Sequence, residues 1–228
     1  MPAAPSVIPE IIPVITLPEV VFFPHSLLPL HIFEPRYQAM LKDVLATNGL
    51  MAVSQLDPRA TPEDPAEPPC PFTCVGAIKA YVYNPDGTAN IVLHGLTRAR
   101  VIDIARERPY RLIRVAPVPE QSSGTDKNLE TLSRALLNLL TRARAATSEI
   151  PPEALEHIEH SQDDPAALAD TIGAYIVNDV SLRRSLLECP NTSIRLQRLR
   201  RYLRSHVLEL EFEKKLRGGL PEDGIGLN

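Results

Sequence analysis

Apolar positions change their rhythm once along this chain. In the first half they fall in short runs bounded by proline and glycine. In the second half they recur at three- and four-residue spacing over longer stretches. Residues 11–17 are mostly apolar and β-branched, as in a buried strand, and prolines at 18 and 24 force turns before a second extended segment at 27–33. From Pro35 the pattern becomes helical. Pro35 suits a first helical turn, Tyr37, Met40, Leu41, Val44 and Leu45 share one face, and Asn48-Gly49 stops the helix. Strand character returns at 50–56. The runs 73–83 and 88–96 are joined by Asn84-Pro85-Asp86-Gly87, a strong hairpin signal, and 99–105 and 110–118 bring the expected strands to about seven. So many short strands with one early helix predict a closed or nearly closed antiparallel sheet.

Beyond residue 126 the periodicity is that of helices. Leu129, Leu132, Leu136, Leu139, Leu140 and Ala143 line one face, and Pro151-Pro152 ends that helix. A short helix carries Leu155 and Ile158. Asp164-Pro165 then starts another with Leu168, Ile172, Tyr175 and Ile176. Ser181 is expected to cap a short turn holding Leu186 and Leu187. Asn191 or Thr192 caps the last and longest helix, marked by Leu196, Leu199, Leu203, Val207 and Leu210. The predicted class is α+β, with an antiparallel β pseudo-barrel followed by a helical bundle. The predicted divisions are a flexible start at 1–8, the barrel with its inserted helix at 9–120, a linker at 121–126, the bundle at 127–216 and a flexible tail at 217–228.

Proline is unevenly placed. The 23 prolines are about twice the average share of ~5 % and cluster in the first half. The segment 57–71, DPRATPEDPAEPPCP, is acidic with little to bury and reads as an exposed loop, either a lid over a bound chain or a variable insertion; composition favours the insertion. A net charge of -4 gives no general pull toward nucleic acid or anionic lipid, and no apolar run reaches membrane-spanning length. The start, MPAAPSVIPE, has no secretory signature, so a cytoplasmic location is expected. Cys70, Cys74 and Cys189 form an odd set of three, as reduced thiols do, and no second pair joins Cys70 and Cys74 to complete a zinc site.

The block IPVITLPEVVFFPHSLLPLHIFEPRYQAML, then LMAVSQLD, and further on VGAIKAYVYNPDGTANIVLHGLTRARV, resembles the substrate-binding N-terminal domain of Lon proteases over roughly residues 9–216. His25 departs from the family pattern, which usually has glycine after Phe-Pro. The resemblance implies a PUA-like pseudo-barrel followed by helices, in a free-standing form. Its implied role is holding unfolded or extended polypeptide, with a protease or chaperone as a conceivable partner and a monomer or weak homo-oligomer as the assembly. No G-x-x-x-x-G-K-[ST] phosphate loop occurs, no serine–lysine peptidase segment follows, and no cofactor is implied. An enzyme would also need a convergent nucleophile, base and oxyanion donor, and none can be assembled from the sequence.

FEPRY is the candidate peptide-binding stretch, with Phe33, Glu34, Arg36 and Tyr37 as its residues. On one reading Glu34 caps the helix, Arg36 braces loops, and Phe33 and Tyr37 pack in the core. On the other, Phe33, Arg36 and Tyr37 form one wall of a peptide groove at the barrel–bundle junction. The competing function is RNA binding by Arg183, Arg184, Arg195, Arg198, Arg200, Arg201 and Arg204. Only Tyr202 is interleaved among them for base stacking, and the pI is about 5.9. His157 and His160 share a helix face with glutamates and read as solvated. No catalytic residue and no metal site are expected.

Overall fold

A computed structural model describes residues 7–60, 67–106, 109–121, 125–147 and 150–218, with side chains to 216. The strands are β1 (Ile11–Leu17), β2 (Leu27–Ile32), β3 (Leu50–Gln55), β4 (Phe72–Tyr83), β5 (Ala89–Arg106) and β6 (Leu112–Pro117), with α1 (Pro35–Leu45) between β2 and β3. Five helices follow: α2 (Asp126–Ala146), α3 (Pro152–Ser161), α4 (Pro165–Tyr175), α5 (Val180–Leu187) and α6 (Thr192–Gly218). The α+β class holds.

The sheet runs β2-β5-β4-β3-β1-β6, and β5 also pairs with β6. The pairings close a ring of β5, β4, β3, β1 and β6, with β2 lying outside it on the first half of β5. Two features differ from the sequence expectation. The β1–β3 ladder is parallel, so the sheet is mixed. A parallel neighbour needs a long crossover, and β2 with α1 supplies it. The segments expected as separate strands at 88–96 and 99–105 are one continuous β5. The residues between them carry no turn chemistry, and the strand bends through register shifts instead.

The ring has an inner and an outer face. Ile12, Val14, Leu50, Ala52, Val75, Ala99, Ile113 and Val115 fill its interior. Ile15, Met51, Val53 and Cys74, at alternate positions, face outward into a larger core shared with α1 and the helical half. With both faces covered, all six residues of β3 are buried. The seam between α2 and α6 is the apolar stripe foreseen from spacing: Leu132, Leu136, Leu139 and Leu140 meet Leu196, Leu199, Leu203 and Val207.

Caps set the helix starts. Asp164 accepts hydrogen bonds from the amides of Ala166 (2.9 Å) and Ala167 (3.2 Å), and Asn191 accepts from Ile194 (3.1 Å). For α5 the cap is Asp179, which accepts from Leu182 at 3.0 Å; Ser181 lies inside the helix. The turn before β2 explains the unusual histidine. His25 has φ +62°, in the left-handed region that favours glycine. Its side chain is exposed, so His25→Gly relieves strain and sacrifices no buried contact. Relief of about 1–2 kcal/mol exceeds the extra unfolded-state entropy of glycine. A gain of about 0.5–1 kcal/mol in urea unfolding is expected; a loss of stability would mean the imidazole is needed.

Candidate functional site

Beyond the ring, the hairpin of β4 and β5 carries β2 on its flank as a three-stranded ribbon. Register places Ala80, Val92 and Pro29 in one cross-strand row, and Val82, Asn90 and His31 in the next row on the same face. Tyr81, Ile91 and Leu30 form the intervening row on the opposite face. Ile91 and Ala89 are buried, whereas Tyr81, Val82 and Tyr83 extend past the core and stay exposed, Val82 at 64 %. A shallow open depression of about 430 Å³ overlies this ribbon, lined by Pro29, Leu30, His31, Ala80, Tyr81, Val82, Asn90, Ile91 and Val92. Its wall carries no carboxylate and no thiol. His31 and Asn90 supply its polar side chains, and the rest of the lining suits apolar contact.

The four FEPRY candidates separate. Phe33 is 62 % exposed, not core, and stacks on His31 with ring centroids 6.0 Å apart, which joins it to the ribbon. His31 is itself held by Asn90 at 2.9 Å. Glu34 occupies the N-cap position of α1, but its carboxylate caps no amide; it accepts from Arg36 Nε at 2.7 Å. An arginine two residues away competes more strongly than the neutral amides, since charge-assisted bonds are roughly twice as strong. Arg36 also forks onto Glu67 at 2.7 and 3.0 Å and lies over the Tyr37 ring at 4.6 Å. The bond to Glu67, with help from Tyr37 and Glu34, raises the Arg36 guanidinium above its ordinary value despite partial burial. Tyr37 is buried in the core, and that burial pushes its hydroxyl up. Arg36 therefore braces the far end of the proline-rich loop, and Arg111 adds a bond to the Glu67 carbonyl at 2.7 Å. Residues 61–66 of that loop lie outside the described residues.

Around Phe23 the barrel–bundle junction is closely packed. Phe23 is fully buried, and a side-chain carbon on Gly173 of α4 would meet its ring at 3.2 Å. Beside it lies an ion cluster that sequence reading missed. Arg98 of β5 donates to Asp170 of α4 at 2.5 Å, to Glu120 and to the Leu187 carbonyl at 3.2 Å. Arg195 of α6 reaches Glu120 at 2.8 Å and lies 3.4 Å from Asp170. Arg98, Asp170 and Arg195 are fully buried, and Glu120 is 40 % exposed. Burial works against the Arg98 charge, but Asp170 and Glu120 outweigh it and hold the guanidinium above its ordinary value. A signal was present. Arg195 lies four residues before Leu199 and eight before Leu203, on the buried face, and Asp170 is the lone carboxylate in an apolar helix.

The arginines weighed for RNA binding do not act as one surface group. Arg195 is interior, Arg198 donates to the Ser185 carbonyl at 2.7 Å, and Arg183 donates to the Val21 carbonyl at 2.9 Å. Arg200, Arg201 and Arg204 remain exposed. A second apolar stripe, Leu208, Phe212 and Leu216, also lies exposed on α6, at i, i+4, i+8 and off the buried seam. The three cysteines are free. Cys74 is fully buried, which pushes its thiol up. Among the described residues no group of three or more His, Cys, Asp or Glu is placed to hold a metal, and no helix is long and apolar enough to cross a membrane.

The described residues thus form a closed mixed ring with a helical half locked to it and an open, largely apolar surface on the β2–β5–β4 ribbon. The model of the ATP-dependent protease La (LON) substrate-binding domain matches residues 11–205, and the chain belongs to that family. It is 28 % identical over 206 residues to the Lon protease of Azospirillum brasilense, covering 90 % of this chain and 25 % of that one. The Lon protease of Escherichia coli strain K12 is 28 % identical over 207 residues, covering 90 % and 26 %. The chain thus spans about a quarter of the length of these relatives. Among solved structures, the N-terminal domain of Mycobacterium avium complex Lon protease has a TM-score of 0.65 at 22 % identity, covering 86 % of this chain and all of that one. A Lon N-terminal domain protein from Xanthomonas campestris has a TM-score of 0.61 at 19 % identity, covering 83 % and 96 %. At these identities the two structures establish a shared fold.

Proposed function

We propose that this chain binds unfolded or extended polypeptide without chemical turnover, as an accessory to a cytoplasmic protease or chaperone. The observation that carries the reading is the apolar ribbon. Phe33, Tyr81, Val82 and Tyr83 are large side chains left in water on a member of a substrate-binding family. Clustered exposed apolar groups mark interaction surfaces. In this reading the barrel half, 9–120, supplies the contacts, the helical half, 127–216, braces it, and the molecule is a monomer or weak homo-oligomer. Glu34 and Arg36 act at one remove by fixing Glu67, and Tyr37 holds α1 in the core. The sequence holds no G-x-x-x-x-G-K-[ST] phosphate loop, and the described lining of the ribbon depression brings no nucleophile and base together, in keeping with binding without turnover. The three free cysteines suit a reducing compartment. RNA binding is disfavoured by the loss of Arg195, Arg198 and Arg183 to internal bonds.

The test uses reduced, carboxymethylated α-lactalbumin as an unfolded probe, read by fluorescence anisotropy. Val82→Asp puts a charge in the middle of the exposed surface without touching the core. It is expected to raise Kd about tenfold or more, with thermal stability unchanged, because an unpartnered polar group costs on the order of 1–3 kcal/mol to desolvate and a carboxylate costs more. An unaltered Kd would remove the ribbon from the binding surface. Failure of the unsubstituted protein to bind would remove the function itself.

A further inference from the structure

Alternation along the hairpin decides which backbone groups of β4 are already satisfied. At its tip the Asn84 amide donates to the Thr88 carbonyl at 2.8 Å. Hydrogen-bonded and non-bonded pairs alternate in an antiparallel ladder. The register Tyr83↔Ala89, Val82↔Asn90, Tyr81↔Ile91 and Ala80↔Val92 therefore gives Val82 and Ala80 to β5. It turns the amides and carbonyls of Tyr81 and Tyr83 the other way. On that side β3 is out of reach: its ladder with β4 ends at Leu50↔Ala77, and one further bond runs from the Ile78 amide to the Gly49 carbonyl. Among the described residues, β4 beyond Ile78 has β5 on one side and no strand on the other.

The opposite edge of the ribbon is protected. The same alternation carried across β5 turns Leu27, Pro29 and His31 of β2 outward. The Leu27 amide is taken by the Tyr175 hydroxyl at 2.8 Å, and Pro29 has no amide hydrogen to offer. Edge prolines and covering groups are standard guards against strand addition. Among the described residues the β4 edge over 79–83 has neither, and Lys79 is the charged side chain that sits on it. That edge offers two donors and two acceptors at strand spacing. The Tyr81 and Tyr83 rings meet edge-on at 5.8 Å on one face, and Val82 lies on the other.

We infer that the β4 edge at 79–83 receives an extended segment of polypeptide as an added strand, with apolar or β-branched side chains packing on the tyrosine pair. The inference rests on the polypeptide-binding reading and supplies its mode and its substrate class. Four outward backbone groups in a row complement another extended backbone; a helix satisfies its own amides and leaves them nothing. Backbone bonding is indifferent to side-chain identity, so one edge serves many sequences. Folded proteins, whose strands are mostly paired and whose edges are mostly guarded, compete poorly. That combination separates unfolded from native chains without a sequence code.

The edge is tested with the full chain and two labelled ten-residue peptides of alternating valine and threonine, one carrying N-methyl groups on two consecutive central residues, which blocks both of its edges. Methylation is expected to weaken binding about tenfold or more, because whichever edge docks loses one hydrogen bond and meets a methyl group that holds the two backbones apart. A protein-side pair complements this: Tyr81→Pro removes an outward donor, and Tyr81→Val keeps it while removing the same ring. Tyr81→Pro is expected to bind the plain peptide about fivefold to tenfold more weakly than Tyr81→Val. Equal affinity for the two peptides, or equal affinity of the two variants, overturns strand addition even where α-lactalbumin still binds, leaving the proposed function in place. If Tyr81→Pro alters only the sedimentation mass and leaves peptide affinity unmoved, a second copy occupies the edge and the inference is wrong. Absence of α-lactalbumin binding by the unsubstituted chain removes both readings.

Discussion

Replacing Asp170 by alanine is expected to destabilise the folded protein by roughly 3–5 kcal/mol. Two guanidiniums and two carboxylates meet at the junction, and Asp170 is the carboxylate that water does not reach. Without it, Arg98 and Arg195 keep their positions between β5, α4 and α6 with only Glu120 to balance them, and Glu120 is itself partly solvated. An uncompensated buried charge is among the few single-site defects of this size. Because the cluster ties the barrel strand β5 to two helices, the loss should appear in probes of both halves. Urea unfolding followed by far-ultraviolet circular dichroism and by tyrosine fluorescence provides that comparison. A change below about 1 kcal/mol would show that the pair is no better than solvated surface charge.

Gly95→Ala is expected to cost at least about 3 kcal/mol, at the upper end of overpacking effects. A side-chain carbon at residue 95 would lie 2.0 Å from the Phe23 carbonyl oxygen, 2.8 Å from its carbon and 3.0 Å from the Pro24 Cα. All three are backbone atoms, so no rotamer change relieves the clash. The turn is also pinned to this glycine: the His25 amide donates to the Gly95 carbonyl at 2.9 Å, and the Gly95 amide donates to the Ser26 carbonyl at 2.9 Å. Moving the turn breaks these bonds and lifts Phe23 from its contact with Gly173. Thermal unfolding is the measurement. A melting temperature within about 2 °C of the unsubstituted protein would mean that the turn moves freely.

Periodicity exposed most of the architecture because burial acts on one face at a time. The α2 and α6 stripes and the α1 face are visible as spacing in the sequence, and β1 and β3 as short apolar runs. Partner choice was not visible. Nothing in IPVITL distinguishes a parallel from an antiparallel neighbour, because both ladders demand the same alternation; the β1–β3 pairing follows from the crossover's path through space. Of the candidate site, Phe33 could be singled out as an aromatic beside a strand-to-helix junction. Its exposure could not, because alternation places a side chain on a face without saying where the core beneath that face ends. Tyr81, Val82 and Tyr83 were hidden for the same reason: in sequence they are ordinary strand residues, and only the early end of β3 leaves them in water. Arg195 was misjudged by type. Seven arginines near one another look like a surface, and its position four residues before Leu199 carried the better information.

The closed ring also bears on how the protein is made. β1 leaves the ribosome first, yet one of its two neighbours is β6, and Ile11 cannot meet Arg114 until about a hundred further residues have been synthesised. At roughly 5–20 residues per second that is a wait of about 5–20 seconds. During it the first apolar strand has at most β3 beside it, so one side of an apolar strand stays open in the nascent chain until the last strand of the ring arrives.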